Sequence, residues 1–159
     1  MKIDDYFKEG LLKKAKVNKV EIEGSLKLAR KFLERAKGNF KINYFDIAFI
    51  LAYNAMFHTS RALLFSFGIK ERSHFAMIDF LKEKLKGNKE IFNLLKVLDA
   101  YRISRHAIQY KGDLCSETDA EEAIKDAEQF LDVTETYLKK RYSIQPNKSY
   151  ESFINHTKV

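Results

Sequence analysis

The chain has 159 residues, of which 45% are hydrophobic and 32% are charged, and its formal net charge is +7. This composition excludes a disordered protein, and the length suits a single domain. Six glycines and one proline are too few for the frequent turns of a β-sandwich or barrel. The positive charge favours an anionic partner such as nucleic acid, nucleotide or an acidic protein, although solvated lysine-rich helix faces also explain it.

Targeting and redox features predict a cytoplasmic protein that spans no membrane. The first ten residues contain two aspartates where a signal peptide would need an apolar core. Cys115 is the only cysteine, and no spacing of Cys and His indicates a zinc site. Phosphate-binding loops and paired aspartates for magnesium are missing, so we expect no metal and no cofactor. The apolar stretch at residues 44–67 contains Asn54, His58 and Arg61, which favours a central helix over a membrane span.

Hydrophobic periodicity predicts five helices along the chain. A short basic amphipathic segment, residues 4–17, precedes them. The second helix is apolar on nearly all sides and is therefore expected at the centre of the fold. We expect Gly38-Asn39 to end the first helix, and Ser116 or Thr118, each at capping-box spacing, to begin the fifth. The predicted helices cover residues 20–37, 43–67, 73–85, 89–110 and from 116 or 118 to 141.

The short connections between these helices predict an all-α fold, a four- to five-helix up-and-down antiparallel bundle. We expect one domain at residues 1–142, with its core at about residues 20–138. Residues 143–159 are polar around Pro146, and we expect them to form a tail that is mobile or docks on a partner.

The fourth predicted helix carries arginines where its apolar stripe would otherwise continue. Arg102 and Arg105 follow Ile91, Leu95 and Leu98 at helical spacing. An arginine at an inward or groove-facing position costs desolvation free energy unless it is partnered, and two arginines within one turn repel each other. An RNA phosphate would satisfy both, because guanidinium offers a planar fork of donors. The alternative is that the helix reaches the surface and both side chains contact solvent or an acidic neighbour.

A polar seam on the second helix consists of Asn54, His58 and Arg61, whose spacings of four and three residues place them on one face. The seam is either a buried hydrogen-bond network or, together with Arg105 and Tyr110, one wall of a ligand cleft. On the second interpretation, its three residues are candidates for binding nucleic acid or nucleotide.

Histidines offer a different chemistry, because imidazole is the side chain that ordinarily titrates near neutral pH. His106 lies four residues after Arg102 on the same helix face, and it is a candidate acid or base for chemistry at a ribose 2′-hydroxyl. A structural role for His106 is the alternative. His74 lies near a predicted helix start and is first expected to cap or pack that helix. Cys115 has no base beside it in the sequence, so we assign it no nucleophilic role.

Several short segments follow one another in a characteristic order. They are AYNAMFH at residues 52–58, SRALL at 60–64, Gly68, Ser73-His74 with Phe80, RHAIQY at 105–110 and the predicted helix at 116–131. Together they resemble the HEPN domain family, in particular its small stand-alone group close to the UPF0332 proteins, and RHAIQY has the R-x4-Y form of that family's arginine motif. Their order and spacing together are fairly specific, and they extend over about residues 20–138.

The resemblance implies an up-and-down helical bundle, commonly a homodimer, that belongs to a prokaryotic toxin–antitoxin or defence system and binds RNA or nucleotide. Active members of the family that this chain resembles are metal-independent endoribonucleases with an R-x4–6-H motif. Many pair with a minimal nucleotidyltransferase (MNT) that serves as antitoxin. By position, the resemblance assigns the motif arginine to Arg105 and places Tyr110 where the catalytic histidine would stand.

The presence of Tyr110 at that position leaves two hypotheses open, because a phenol is a poor general base near neutral pH. In the first, the chain binds RNA or nucleotide through Arg102, Arg105 and the polar seam, and cleaves RNA with Arg105, Tyr110 and His106 at the catalytic site. In the second, the chain is a non-catalytic interaction module that binds an MNT partner and offers Tyr110 as a nucleotidylation target.

Overall fold

The computed structural model describes residues 2–144, which form a bundle of α-helices with one small antiparallel sheet. The all-α fold class predicted from the sequence is confirmed. Among the helices of this part of the chain, none is long and apolar enough to cross a membrane. In chain order the elements are α1 (Ile3–Lys8), β1 (Leu12–Lys14), α2 (Lys19–Lys41), α3 (Phe45–Ser66), β2 (Ile69–Glu71), α4 (His74–Lys84), α5 (Lys89–Lys111) and α6 (Glu117–Ile144).

The α3 helix is the centre of the bundle, as its apolar sequence predicts. Thirteen of its 22 residues are buried, and it packs against α2, α4, α5 and α6. A helix with neighbours on nearly every side needs an almost continuous apolar sequence. The α2 helix lies at the outside of the bundle and buries a single stripe, which consists of Ile22, Leu26, Ala29, Leu33 and Ala36 together with Ser25.

A two-stranded antiparallel sheet divides the amphipathic segment expected at residues 4–17, so this expectation is corrected. Gly10, at a φ of +74°, follows the short α1 helix. The β1 strand then pairs with β2, with Leu12 opposite Glu71 and Lys14 opposite Ile69. Pairing between strands so far apart in sequence leaves no trace in local periodicity, because that periodicity reports only which side of each segment is apolar.

The α2 helix continues beyond Gly38-Asn39, so the predicted end of this helix is wrong. It runs to Lys41, and Asn43 takes the left-handed conformation with a φ of +65°. The side-chain amide of Asn39 donates a hydrogen bond of 2.8 Å to the carbonyl oxygen of Arg35. Asn39 is therefore still helical, and the chain turns four residues later, at Asn43.

Other predicted helix ends are confirmed. The hydroxyl of Ser73 accepts the N–H of Ala76 at 3.2 Å and caps α4. Gly112 follows α5 in the left-handed conformation with a φ of +71°. Ser116 and Asp119 form a reciprocal capping box with distances of 3.1 and 3.2 Å. These caps fix the start of α4 and the end of α5, and the candidate site lies between the two.

The α6 helix completes the bundle by packing on α3, α2 and α5. It extends to Ile144, beyond the end predicted at Arg141. The rest of the tail predicted from residue 143 lies outside the residues that the structure describes.

Candidate functional site

An open cleft of about 500 Å³ lies between the start of α4 and the C-terminal half of α5. Capping by Ser73 sets the first turn of α4 so that His74 and Phe75 line one side of the cleft. The other side is the part of α5 in which charged residues take the place of leucines. Six residues of α5 line that side, namely Arg102, Ile103, Arg105, His106, Ala107 and Lys111.

Arg105 is the arginine of the cleft whose charge has no acidic partner in residues 2–144. Its guanidinium carbon lies 5.0 Å from the ring centroid of the buried Tyr53, and its Nη1 donates to Oε1 of Gln109 at 3.2 Å. Its Nε is buried and, within the same residues, makes no hydrogen bond. A buried donor without an acceptor costs about 1–3 kcal/mol. Arg105 lines the cleft, so an anion there that drew the Nε–H towards itself would remove that cost.

Arg102 differs from Arg105 because it has a carboxylate partner. Its Nε lies 3.2 Å from Oδ1 of Asp99, one turn earlier in α5. Its guanidinium carbon lies 5.7 Å from the ring centroid of Phe75, which is 46% exposed. The sequence left open the alternative that the two arginines contact an acidic neighbour. The structure shows such a neighbour for Arg102 and, within residues 2–144, none for Arg105.

His74 connects the lining of the cleft to the core of the bundle. Its Nδ1 lies 3.3 Å from Oη of Tyr53, and its ring centroid lies 4.0 Å from that of Phe57. Burial, together with the positive charges of Arg105 and Arg102, lowers the pKa of His74 below its ordinary 6.5. Burial also raises the pKa of Tyr53. At neutral pH the imidazole and the phenol are therefore both uncharged.

His106 and Tyr110 lie one turn apart on an exposed face of α5. Their ring centroids are 5.0 Å apart. His106 lines the cleft, whereas Tyr110 lies outside the lining and is 65% exposed. The structure thus brings His106 together with Arg102 and Arg105, and it leaves Tyr110 facing solvent next to the cleft.

The polar seam of α3 lies outside the lining of this cleft. His58 stacks on Phe32 of α2 with ring centroids 5.3 Å apart, and burial followed by the charge of Arg61 lowers the pKa of His58 to about 4. Nε of Arg61 lies 2.7 Å from Oε1 of Glu71 in β2, but the two groups are not aligned as a hydrogen bond. Asn54 is half-buried. A role for these three residues in binding stays a prediction.

Sequence reasoning missed four residues that belong to the cleft or support it, namely Tyr53, His74, Phe75 and Lys111. Tyr53 lies within the apolar run of α3, where an aromatic residue indicates core packing. His74 and Phe75 come from another helix, so no spacing along α5 points to them. The sequence feature that could have pointed to these residues is the inward arginine, because a buried guanidinium requires an acidic or aromatic partner on a neighbouring helix.

The reactive groups that line the cleft are its cations and its imidazoles. No group of three or more His, Cys, Asp or Glu side chains within residues 2–144 could hold a metal ion. Cys115 lies elsewhere, and burial together with the charges of Asp119 and Asp46 raises the pKa of its thiol to about 11.

Comparisons with known proteins identify the family. No curated protein matches the chain significantly. The model of the HEPN domain family matches residues 22–140, a region that contains both sides of the cleft and the central α3 helix. Because this match covers well over half of the sequence, the chain belongs to the HEPN domain family.

Proposed function

We propose that the chain binds single-stranded RNA, or a nucleotide, in the cleft between α4 and α5 and cleaves bound RNA without a metal ion. The observation that carries the proposal is that two arginines and two histidines, Arg102, Arg105, His74 and His106, line one cleft. HEPN domains are modules related to nucleotides and RNA and are common in toxin–antitoxin and defence systems. A prokaryotic system of that kind is the setting that we propose for this chain.

Phosphate is the anion that these side chains suit best. The Nε–H of Arg105 has no acceptor among residues 2–144, and a guanidinium fork matches the spacing of two phosphate oxygens. The ring of Tyr53 supports the guanidinium through a cation–π contact. Lys111 adds a point charge to the same lining. A phosphodiester would therefore meet one oriented arginine and further positive charge beside it.

The two imidazoles of the cleft supply groups for proton transfer at a ribose 2′-hydroxyl. Metal-independent cleavage of RNA needs a base for the 2′-hydroxyl and an acid for the leaving oxygen. It also needs positive charge beside the phosphate, where negative charge develops. His106, which the sequence singled out, and His74 line the same cleft as the two arginines.

The experiment that tests this function follows binding and cleavage of a labelled single-stranded RNA by the wild type in EDTA. We expect labelled product, and an affinity that falls steeply with added salt, because phosphate contacts release counterions. The double variant Arg102→Ala/Arg105→Ala should lose both activities. Its matched control is Arg30→Ala/Lys37→Ala, which removes two exposed cations of α2. Equal binding by the wild type and the first double variant would contradict the proposal.

We also propose that the chain forms a homodimer, because HEPN domains often dimerise. The interface that we expect is a two-fold, self-complementary patch that includes parts of α3 and α5. Light scattering at micromolar concentration should give twice the chain mass of 18.6 kDa. A mass near 18.6 kDa would contradict this assembly.

A second candidate function is that of a non-catalytic module that binds an MNT partner, and the exposure of Tyr110 favours it. A hydroxyl that is to accept a nucleotidyl group must reach solvent, and Tyr110 is 65% exposed at the end of α5. Incubation with an MNT protein and ATP should add one nucleotidyl group to the wild type, detected by mass spectrometry, and none to Tyr110→Phe. Tyr44→Phe, at a tyrosine that is 58% exposed on another part of the surface, is the control. Modification of Tyr110→Phe would contradict the assignment.

A further inference from the structure

The imidazole of His74 has one nitrogen directed into the core and one open to the cleft. Nδ1 lies 3.3 Å from Oη of Tyr53, whose ring is 2% exposed. The other nitrogen, Nε2, lies on the opposite side of the ring. Within residues 2–144 it makes no hydrogen bond and is not among the buried polar atoms that lack a partner. Because His74 lines the cleft, Nε2 is the atom through which it can meet a ligand.

From this geometry we infer that His74 is the general base that removes the proton of the RNA 2′-hydroxyl, and that Tyr53 is its positioning residue. This inference rests on the RNA cleavage proposed above. It assigns the base to α4, because the motif position of the catalytic histidine is occupied in α5 by Tyr110, which lies outside the lining of the cleft, and it leaves His106 the role of the acid. The tautomer that the role requires carries its proton on Nδ1, which donates to Oη of Tyr53 and leaves the lone pair of Nε2 free.

The reaction that follows is a transfer of the phosphodiester from one oxygen to another. Nε2 of His74 accepts the 2′-hydroxyl proton while the 2′-oxygen forms a bond to phosphorus. The bond from phosphorus to the 5′-oxygen breaks, and that oxygen leaves with a proton from His106. The products are a 2′,3′-cyclic phosphate and a free 5′-hydroxyl, and exchange of protons with water restores both imidazoles. Arg102 and Arg105 offset the charge that develops on the phosphate oxygens.

The charged and titratable groups around His74 keep its imidazole ready to accept a proton. Burial and the arginines lower its pKa below 6.5, so it is uncharged at neutral pH before RNA arrives. A bound phosphate brings negative charge beside it, which favours the protonated form that the reaction generates. The groups that face His74 are Tyr53, His58 and Arg61 from α3 and Arg102 and Arg105 from α5.

The test compares single-turnover cleavage and RNA affinity for His74→Gln, Tyr53→Phe and a matched control, Tyr101→Phe, which removes a half-buried tyrosine hydroxyl that donates to Asp126 outside the lining of the cleft. We expect His74→Gln to lose cleavage by about 10²–10⁴-fold, the usual contribution of a general base, while its affinity for RNA changes by less than threefold. Tyr53→Phe should lose about tenfold in rate and retain binding, and Tyr101→Phe should behave as the wild type. The labelled product should carry a 2′,3′-cyclic phosphate.

Two measurements on the wild type keep the inference testable if a variant fails to fold. At protein and RNA concentrations far below Kd, where the rate reports on the free protein, cleavage should rise with pH through a limb centred below pH 6.5, where His74 loses its proton. In the free protein, ¹⁵N imidazole shifts should show the proton of neutral His74 on Nδ1. Cleavage by His74→Gln at the wild-type rate, or a proton on Nε2, would overturn the inference and leave the proposed function standing. RNA binding without any cleavage would overturn the inference and the cleavage half of that function. Failure of the wild type to bind RNA at low salt would overturn the proposed function itself.

Discussion

Replacement of Arg105 by lysine should weaken RNA binding about tenfold. Lysine keeps the charge but lacks the planar fork and the Nε–H that has no acceptor in residues 2–144. A hydrogen bond to a charged group contributes about 1.5–3 kcal/mol. The ammonium recovers part of this, so we expect a loss near the lower limit, about 1.4 kcal/mol, which is tenfold in Kd.

The same replacement should leave the fold nearly as stable as before. Arg105 contributes to the folded state through its cation–π contact with Tyr53 and one hydrogen bond to Gln109. Together these contribute about 1 kcal/mol at a half-exposed position. The replacement also removes the buried Nε–H that has no acceptor in residues 2–144, which offsets part of this loss, so the melting temperature should change by no more than about 2–4 °C.

Fluorescence anisotropy with a labelled ten-nucleotide RNA at several salt concentrations measures both effects on binding. Arg105→Lys should keep the salt dependence of the wild type, whereas Arg105→Ala should reduce the slope by about 0.7, the value for one phosphate contact on a single strand. Arg30→Lys, at an exposed arginine of α2, should bind as the wild type. Equal affinity of Arg105→Lys and the wild type at low salt would refute the argument, as would an equal loss in Arg30→Lys.

Three further predictions concern stability. Thr134→Val should raise the free energy of unfolding by about 1 kcal/mol in thermal denaturation, because the Thr134 hydroxyl is buried without a hydrogen bond to residues 2–144. Gly68→Ala should lower it by about 2 kcal/mol or more, because φ is +72° and the new Cβ would lie 2.9 Å from the carbonyl oxygen of Ala15. His58→Gln should reduce the loss of stability in acid. Folding lowers the pKa of His58 from its ordinary 6.5 to about 4. The stability that the uncharged imidazole contributes is therefore complete above pH 6.5 and is lost as the pH falls towards 4. Because the side chain is only half-buried, we expect this contribution to be about 1 kcal/mol in urea unfolding.

Matched variants separate these causes from general effects of substitution. Thr136→Val changes an exposed threonine whose hydroxyl already bonds to the carbonyl of Asp132, and it should give no gain. Gly112→Ala has nearly the same φ, +71°, but nothing within 4 Å of the new Cβ, so it should cost less than Gly68→Ala. A less stable Thr134→Val would contradict the cost assigned to the buried hydroxyl. Equal costs at the two glycines would contradict the role of the contact with Ala15, and unchanged acid sensitivity in His58→Gln would contradict the role of the buried imidazole.

The long helices could be predicted from the sequence because their signals are local. The apolar run of α3 and the single buried stripe of α2 follow directly from periodicity, and the capping residues Ser73 and Ser116 mark helix starts. The end of α2 could not be predicted, because Gly38-Asn39 and the later Asn43 carry the same kind of signal. In the structure Asn39 lies within α2, and Asn43 takes the left-handed conformation.

The candidate site could be predicted only in its α5 half. Arg102, Arg105 and His106 lie on one helix, so their spacing places them together. The partners that give this half its chemistry, Tyr53 and His74, lie on α3 and α4, and their contacts depend on how the helices pack. Helix packing also decides where the polar seam of α3 lies. Its regular spacing suggested one wall of the cleft, but in the structure the seam packs against α2 and β2.

The most direct test of RNA binding in this cleft follows the Nε–Hε resonance of Arg105 in a ¹⁵N NMR titration of the protein with single-stranded RNA. We expect this resonance to move downfield and to exchange more slowly with water as RNA is added, because the Nε–H, which has no acceptor in residues 2–144, then donates to a phosphate oxygen. Backbone shifts should be confined to the start of α4 and the C-terminal half of α5. An unchanged Arg105 resonance at saturating RNA, with shifts instead along the exposed lysines of α2, would contradict phosphate binding at Arg105.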